Sequence, residues 1–99
     1  MPIERLVGIN VVDENKYQKY RDNMLPILES YGGEFKYDFK VSSVLKNEQN
    51  NPINRIFILK FDSEDSLDSF FSDESYLEIR QKYFDSSVSS TTIISKYLT

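Results

Sequence analysis

Hydrophobic and polar positions follow two rhythms along the chain, and their order predicts a fold. Leu6 to Val12 reads as a strand, with Val7, Ile9 and Val11 on one face and Leu6, Gly8, Asn10 and Val12 on the other. Both faces are largely apolar, the pattern of a strand covered on both sides. Asp13 is placed to cap a helix, with Glu14 in its favourable first turn. Tyr17, Tyr20, Met24, Ile27, Leu28 and Tyr31 then recur at helical spacing along one stripe. Pro26 falls inside that stripe and lacks a backbone donor, so a bend is expected near Asp22–Asn23. Gly32-Gly33 supplies a left-handed stop.

The rhythm changes to strict alternation from Glu34 to Leu45. Phe35, Tyr37, Phe39 and Val41 oppose Glu34, Lys36, Asp38 and Lys40, giving one aromatic and one charged face, as near a sheet edge. Residues 46–52 form a polar, Asn-rich loop. Arg55 to Phe61 is a strand with Phe57, Leu59 and Phe61 on one face and Ile56, Ile58 and Lys60 on the other. Ser63 caps a short helix carrying Leu67, Phe70 and Phe71, and Ser72 or Asp73 restarts a helical segment with Tyr76, Leu77, Ile79, Tyr83 and Phe84. Residues 85–90 read as a linker, and Thr91 to Leu98 as the last strand.

Strand, helix, strand, strand, helix, strand is the order of the ferredoxin-like α+β fold. Right-handed crossovers then give a four-stranded antiparallel sheet whose first and third strands are central. Those are the two strands that are apolar on both faces. The helices cover one face of the sheet, and no further element is apparent for the other. A second copy of the sheet is the economical cover, which predicts a homodimer and a shared barrel-like interior, a dimeric α/β barrel.

Composition narrows the chemistry. The chain has 99 residues, the length of one domain spanning 1–99, with seven Phe, seven Tyr and no Trp. It has no Cys and no His, which excludes disulfides, thiolate catalysis, a Ser-His-Asp triad and His- or Cys-ligated metal or haem. The expected cofactor and metal content is therefore none. The net charge is −4 with both signs interspersed, so no nucleic-acid partner is expected. Lys16, Lys19 and Arg21 stand among Asp13, Glu14 and Asp22 and read as a solvated helix face. No apolar run approaches the roughly 20 residues that cross a bilayer, and the first residues do not resemble a signal peptide. A cytoplasmic location without membrane association is the corresponding expectation.

Candidate site residues come from interruptions of the apolar pattern. Asn10 and Lys60 break the two central strands on the faces that would line the barrel, with Gly8 leaving space beside them. They are expected near the C-terminal ends of adjacent parallel strands, where an amide beside an ammonium can hold an anionic or carbonyl group. A Lys60 stem packed in the sheet with its head at the rim is the competing structural reading. Arg55 reads as structural, and so does Arg80, four residues after Tyr76 on the same helix face, each through an ion pair. Asp62, Glu64, Asp65, Asp73 and Glu74 lie at helix starts, where carboxylates act as caps.

Several short motifs, taken together in their order, resemble a known family. These are Tyr17 and Tyr20, Pro26-Ile27-Leu28 before Tyr31-Gly32-Gly33, Arg55 opening a strand that closes at Phe61, and Ser72-Asp73-Glu74-Ser75-Tyr76 followed by Arg80. The chain resembles the small uncharacterised bacterial domains of the dimeric α/β-barrel superfamily, known as domains of unknown function. The resemblance implies the fold, the homodimer, and Tyr20 and Tyr76 as candidate ligand-orienting phenols. The sequence departs from the pattern at Lys60, where the family often has Glu, and at Glu34, where a basic residue often follows the glycine pair. The superfamily includes cofactor-independent monooxygenases, muconolactone-type isomerases and haem enzymes.

Two functional expectations follow. One is a small-molecule-binding or structural module, with Asn10, Lys60, Tyr20 and Tyr76 as its polar lining between the helices and the barrel mouth. The alternative is a cofactor-independent, monooxygenase- or isomerase-like enzyme acting on a small organic substrate, relying on positioning and a few polar groups. The sequence assigns no catalytic residue.

Overall fold

A computed structural model describes residues 1–99. Strand β1 spans Ile3–Val11, helix α1 Glu14–Ser30, β2 Glu34–Lys40, β3 Arg55–Phe61, α2 Glu64–Ser72, α3 Glu74–Ile79 and β4 Val88–Leu98. A π-helical turn, Arg80–Phe84, continues α3. The sheet is antiparallel throughout, in the order β2-β3-β1-β4. The ferredoxin-like α+β arrangement and the central places of β1 and β3 are thus as the apolar pattern predicts.

Side-chain caps begin each α-helix. Asp13 accepts from the Lys16 amide at 3.0 Å, Ser63 from Ser66 at 3.1 Å, and Asp73 from Tyr76 at 2.9 Å. Pro26 lies within α1 without ending it. The stop comes at Gly32, whose φ of +74° is the left-handed conformation that glycine adopts without steric cost.

The core lies between the helices and one face of the sheet. Ile3, Val7, Ile9 and Val11 of β1 and Phe57, Leu59 and Phe61 of β3 point into it, meeting Tyr17, Tyr20, Met24 and Leu28 of α1 and Leu67, Phe70 and Tyr76 from α2 and α3. Aromatic edges and faces interlock here; Phe70 and Tyr76 have ring centroids 4.3 Å apart.

Strand β2 departs from the expected alternation. Phe35 pairs with Leu59 and Tyr37 with Ile58, leaving Lys36 as an extra residue in a bulge. The slip divides the aromatic face. Phe35 turns to the helices, 5.4 Å from Phe57, whereas Tyr37 and Phe39 stack on the opposite face, both more than half exposed. Asp38 turns inward with Phe35 and meets Arg55 and Arg21 at 2.8 and 3.1 Å. Arg21 is therefore not on a solvated face as expected. Its guanidinium lies 3.8 Å from the Phe35 ring centroid, with the side chain largely covered.

Residues 41–54 form a loop, so the second strand stops short of the expected Leu45. The end of this loop folds across the helix-free face of the sheet. A Cβ added to Gly8 would stand 2.8 Å from Ile53, so glycine here makes room for the loop. Asn54 acts as a false strand residue: its amide accepts from Val11 N at 2.7 Å and donates to Val11 O at 2.8 Å. Part of the face assigned to a second copy is thus covered by the chain itself. Leu6, Ile56 and Ile58 remain half-buried there, with Tyr37, Phe39 and Ile94 exposed around them.

Candidate functional site

Strand direction separates two of the sequence candidates. Lys60 pairs with Glu4 at one end of β1, while Asn10 pairs with Ser90 at the other. The expectation that they share an end is corrected: β1 and β3 are antiparallel neighbours, so late positions of the two strands lie at opposite ends. The Asn10 amide donates to Ser89 Oγ at 2.9 Å. Lys60 lies in register with both Glu4 and Glu34. Glu4 is buried and bonded by Lys36 at 3.0 Å and Tyr97 at 2.9 Å. Its carboxyl is held below the usual range first by the Lys36 hydrogen bond, against a burial effect, with Lys60 a minor contributor.

The other two candidates meet. Tyr20 of α1 and Tyr76 of α3 bring their hydroxyls to 3.0 Å in the core between helices and sheet. Beside them is a cavity of about 60 Å³. Tyr17, Tyr20 and Phe84 line one wall, Val7 and Leu59 the sheet side, and Arg5, Arg80 and Thr91 join Tyr76 in the polar lining. The π turn that carries Arg80 and Phe84 widens the helix by one residue per turn at this place, and Phe84 packs 4.9 Å from the Tyr20 ring.

Burial dominates the electrostatics. It pushes the Tyr20 phenol well above its ordinary pKa, and the Tyr76 hydroxyl adds to the effect. Tyr76 is also raised by burial, with Tyr20 and the two nearby guanidinium groups pulling the other way. Both phenols are therefore protonated hydrogen-bond donors near neutral pH. Burial also lowers the Arg5 pKa, an effect that Arg80 reinforces and the two tyrosines oppose. Arg5 remains a cation, since guanidinium pKa values lie so far above neutrality. It sits 4.5 Å over the Phe71 ring and has no carboxylate within ion-pair distance.

Arg55 forms the structural ion pair expected of it, gripping Asp38 through two nitrogens at 3.0 and 2.8 Å. Arg80 reaches Asp85 at 3.8 Å, on the exposed side of its turn, while its guanidinium also borders the cavity. Arg5 is the site residue that the sequence reading missed, because that reading began the first strand at Leu6. The alternation of Ile3, Arg5 and Val7 carries the signal: it extends the strand upstream and turns Arg5 to the helix side.

A larger groove of about 600 Å³ runs between the 41–54 loop and the helix-free face. Its buried hydroxyl, on Thr92, is already bonded by Asn51, and no cluster of cations or phenols converges there. The smaller cavity has the chemistry, and we take it as the candidate site.

Comparison with known proteins places this geometry among relatives. A family model described as DUF1330, a domain of unknown function, matches residues 6–97. No curated protein matches the sequence. Among solved structures, a protein of unknown function from Rhodopseudomonas palustris superposes with a TM-score of 0.80 at 19% identity, over 97% of this chain and 80% of that one. A dabb family protein with a ferredoxin-like fold from Mesorhizobium loti gives 0.70 at 12% identity, over 99% and 96%. The At3g17210 protein of Arabidopsis thaliana gives 0.71 at 14% identity, over 98% and 94%. At these identities the likeness is one of fold.

Proposed function

The chain belongs to the DUF1330 family, a domain of unknown function, and from that premise we propose that it is a homodimeric small-molecule-binding module whose ligand enters the cavity beside Tyr20 and Tyr76. The observation that carries the reading is the Arg5 cation, without a carboxylate partner, beside a buried phenol pair at the edge of a largely apolar cavity. Apolar walls with a few convergent polar groups are the usual make-up of a small-ligand site. Asn10 and Lys60 lie apart from this cavity, so within this proposal Tyr20 and Tyr76 are the ligand-facing pair.

The homodimer rests on a separate surface. Leu6, Ile56, Ile58, Tyr37, Phe39 and Ile94 form an apolar area on the face that the helices leave uncovered. A second copy of that face is a self-complementary cover, and residues 1–99 would then act as one dimeric α/β-barrel domain. No helix is long and apolar enough to cross a membrane. Cytoplasmic residence belongs to the same proposal, supported by the cysteine-free composition.

The protonated phenols favour binding and carbonyl polarisation over proton abstraction, because neither offers a base near neutral pH. This weighs against the enzymatic alternative in any form that needs a tyrosinate. The test is an amide and aromatic NMR screen of the full chain against a panel of neutral and charged molecules of two to six heavy atoms. The reading expects shifts concentrated at Tyr20, Tyr76 and Phe84 for at least one member. Shifts scattered over the surface, or none, would overturn it.

A further inference from the structure

The count of donors and acceptors around the cavity says what kind of molecule it takes. Tyr20 and Tyr76 have two hydroxyl protons between them, and one is used in their mutual hydrogen bond. The other neighbour hydrogen-bonded to the pair is Arg80, at Tyr76, and a guanidinium can only donate, so the second proton has no protein acceptor. Buried tyrosine hydroxyls ordinarily find a partner, because an unmatched polar group in the core is destabilising. Arg5 adds five more N–H donors that no protein side chain accepts, and Arg80 offers the part of its guanidinium not turned to Asp85. No Asp or Glu lines the cavity, and the charges that act on Arg5 and Tyr76 come from each other, Arg80 and Tyr20. Thr91, an exposed residue of the lining, adds one hydroxyl, which leaves the site with more donors and positive charge than acceptors.

We propose that this cavity binds a small carboxylate anion, its two oxygens meeting the Arg5 guanidinium and the free phenolic proton of the Tyr20–Tyr76 pair. The inference rests on the binding reading above and gives it a ligand class. Three features select a carboxylate. A planar guanidinium matches the two oxygens of a carboxylate in a fork geometry. The volume of about 60 Å³ is the share of roughly two water molecules, which sets the size at one to three carbons. The remaining walls, Val7, Leu59 and Phe84 among them, are apolar and suit a short alkyl tail rather than a further charged oxygen. A doubly charged tetrahedral phosphate would place an oxygen against those walls without a donor.

The experiment is a titration of the full-length protein with acetate, acetamide and inorganic phosphate at constant ionic strength, followed through backbone amide and arginine Nε–H resonances. Acetate is expected to saturate, with its largest shifts at Arg5, Tyr20 and Tyr76, while its neutral isostere acetamide and phosphate leave those signals in place. Acetamide binding as well as acetate would overturn the anion class and leave the binding reading intact. Equal or stronger binding of phosphate would overturn the choice of carboxylate. If none of the three binds and the wider panel also gives nothing, both readings fall. Arg5→Met should weaken acetate by roughly tenfold or more, the scale of a lost charge-assisted hydrogen bond. An unchanged affinity in a folded Arg5→Met would overturn the proposal, and the contrast between acetate and acetamide decides the matter in the unaltered protein if that variant does not fold.

Discussion

Tyr20 and Tyr76, 56 residues apart in the chain, join α1 to α3 through a single hydroxyl–hydroxyl hydrogen bond of 3.0 Å. Each ring is buried, so the bond cannot be replaced by bulk water without opening the core. Tyr76→Phe should lower stability by about 1–3 kcal/mol, because it leaves the Tyr20 hydroxyl unmatched in the core. The double variant Tyr20→Phe/Tyr76→Phe should cost less than the sum of the two single changes. Urea unfolding of the four proteins measures both. The raised phenol pKa values give the same pair a pH signature. Folded-state protons are held more tightly than unfolded ones, so their contribution is complete below pH 10 and declines as pH rises beyond it.

Asp38 has the opposite sign. Burial works against its charge, but the Arg55 hydrogen bonds and the Arg21 and Arg55 charges outweigh that and hold the pKa below 3.8. Stability from this cluster is therefore full above the unfolded value and fades as pH falls through the lower folded one. Asp38→Asn should destabilise the protein by about 1–3 kcal/mol at neutral pH. Denaturation measured down a pH series should show that difference shrinking below pH 3.8.

The uncovered face yields a test of assembly. Ile58 lies half-buried on the central strand, between Leu6 and Tyr37 in the pairing. Ile58→Glu should shift sedimentation from dimer toward monomer, because an unpaired carboxylate at the centre of an apolar contact is strongly disfavoured. A variant that sediments as a dimer with unaltered affinity would argue against this face as the interface.

Asn54 should prove as structural as any strand residue. Asn54→Ala removes both hydrogen bonds to Val11 and is expected to cost about 1–3 kcal/mol. Asn54→Asp should be no better despite its shape, since a carboxylate oxygen would replace the amide donor facing the Val11 carbonyl. Faster hydrogen exchange at the Val11 amide is the local readout.

The apolar pattern was sufficient for element order and for the central strands, because Val7, Ile9, Phe57 and Leu59 occupy positions whose burial is set by period alone. The caps at Asp13, Ser63 and Asp73 were legible for a similar reason: each is a local hydrogen bond that the sequence spells out. Pairing register was not. The Lys36 bulge reverses the facing of every β2 residue beyond it, and nothing within the strand marks where an extra residue is absorbed. The site was half legible. Tyr20 and Tyr76 lie on predictable helix stripes, but their meeting is a tertiary event. Arg5 was hidden by a charged pair, Glu4-Arg5, that looks like a terminus and instead splits between two faces of the sheet.

The irregularities of the sheet have a pattern of their own. The central β1–β3 pairing has no register break, whereas β2 carries one bulge and the β4 pairing shifts twice, leaving Ser89 and Ile94 without partners on β1. All three interruptions are on outer strands, whose free edges could otherwise template the addition of further chains. Residues Thr91 to Leu98 are rich in β-forming side chains, and an unbroken edge of that composition invites fibril growth. A bulge bends and twists the strand that carries it, so the same irregularities that set which side chains face the core also make each edge a poorer template for an added strand.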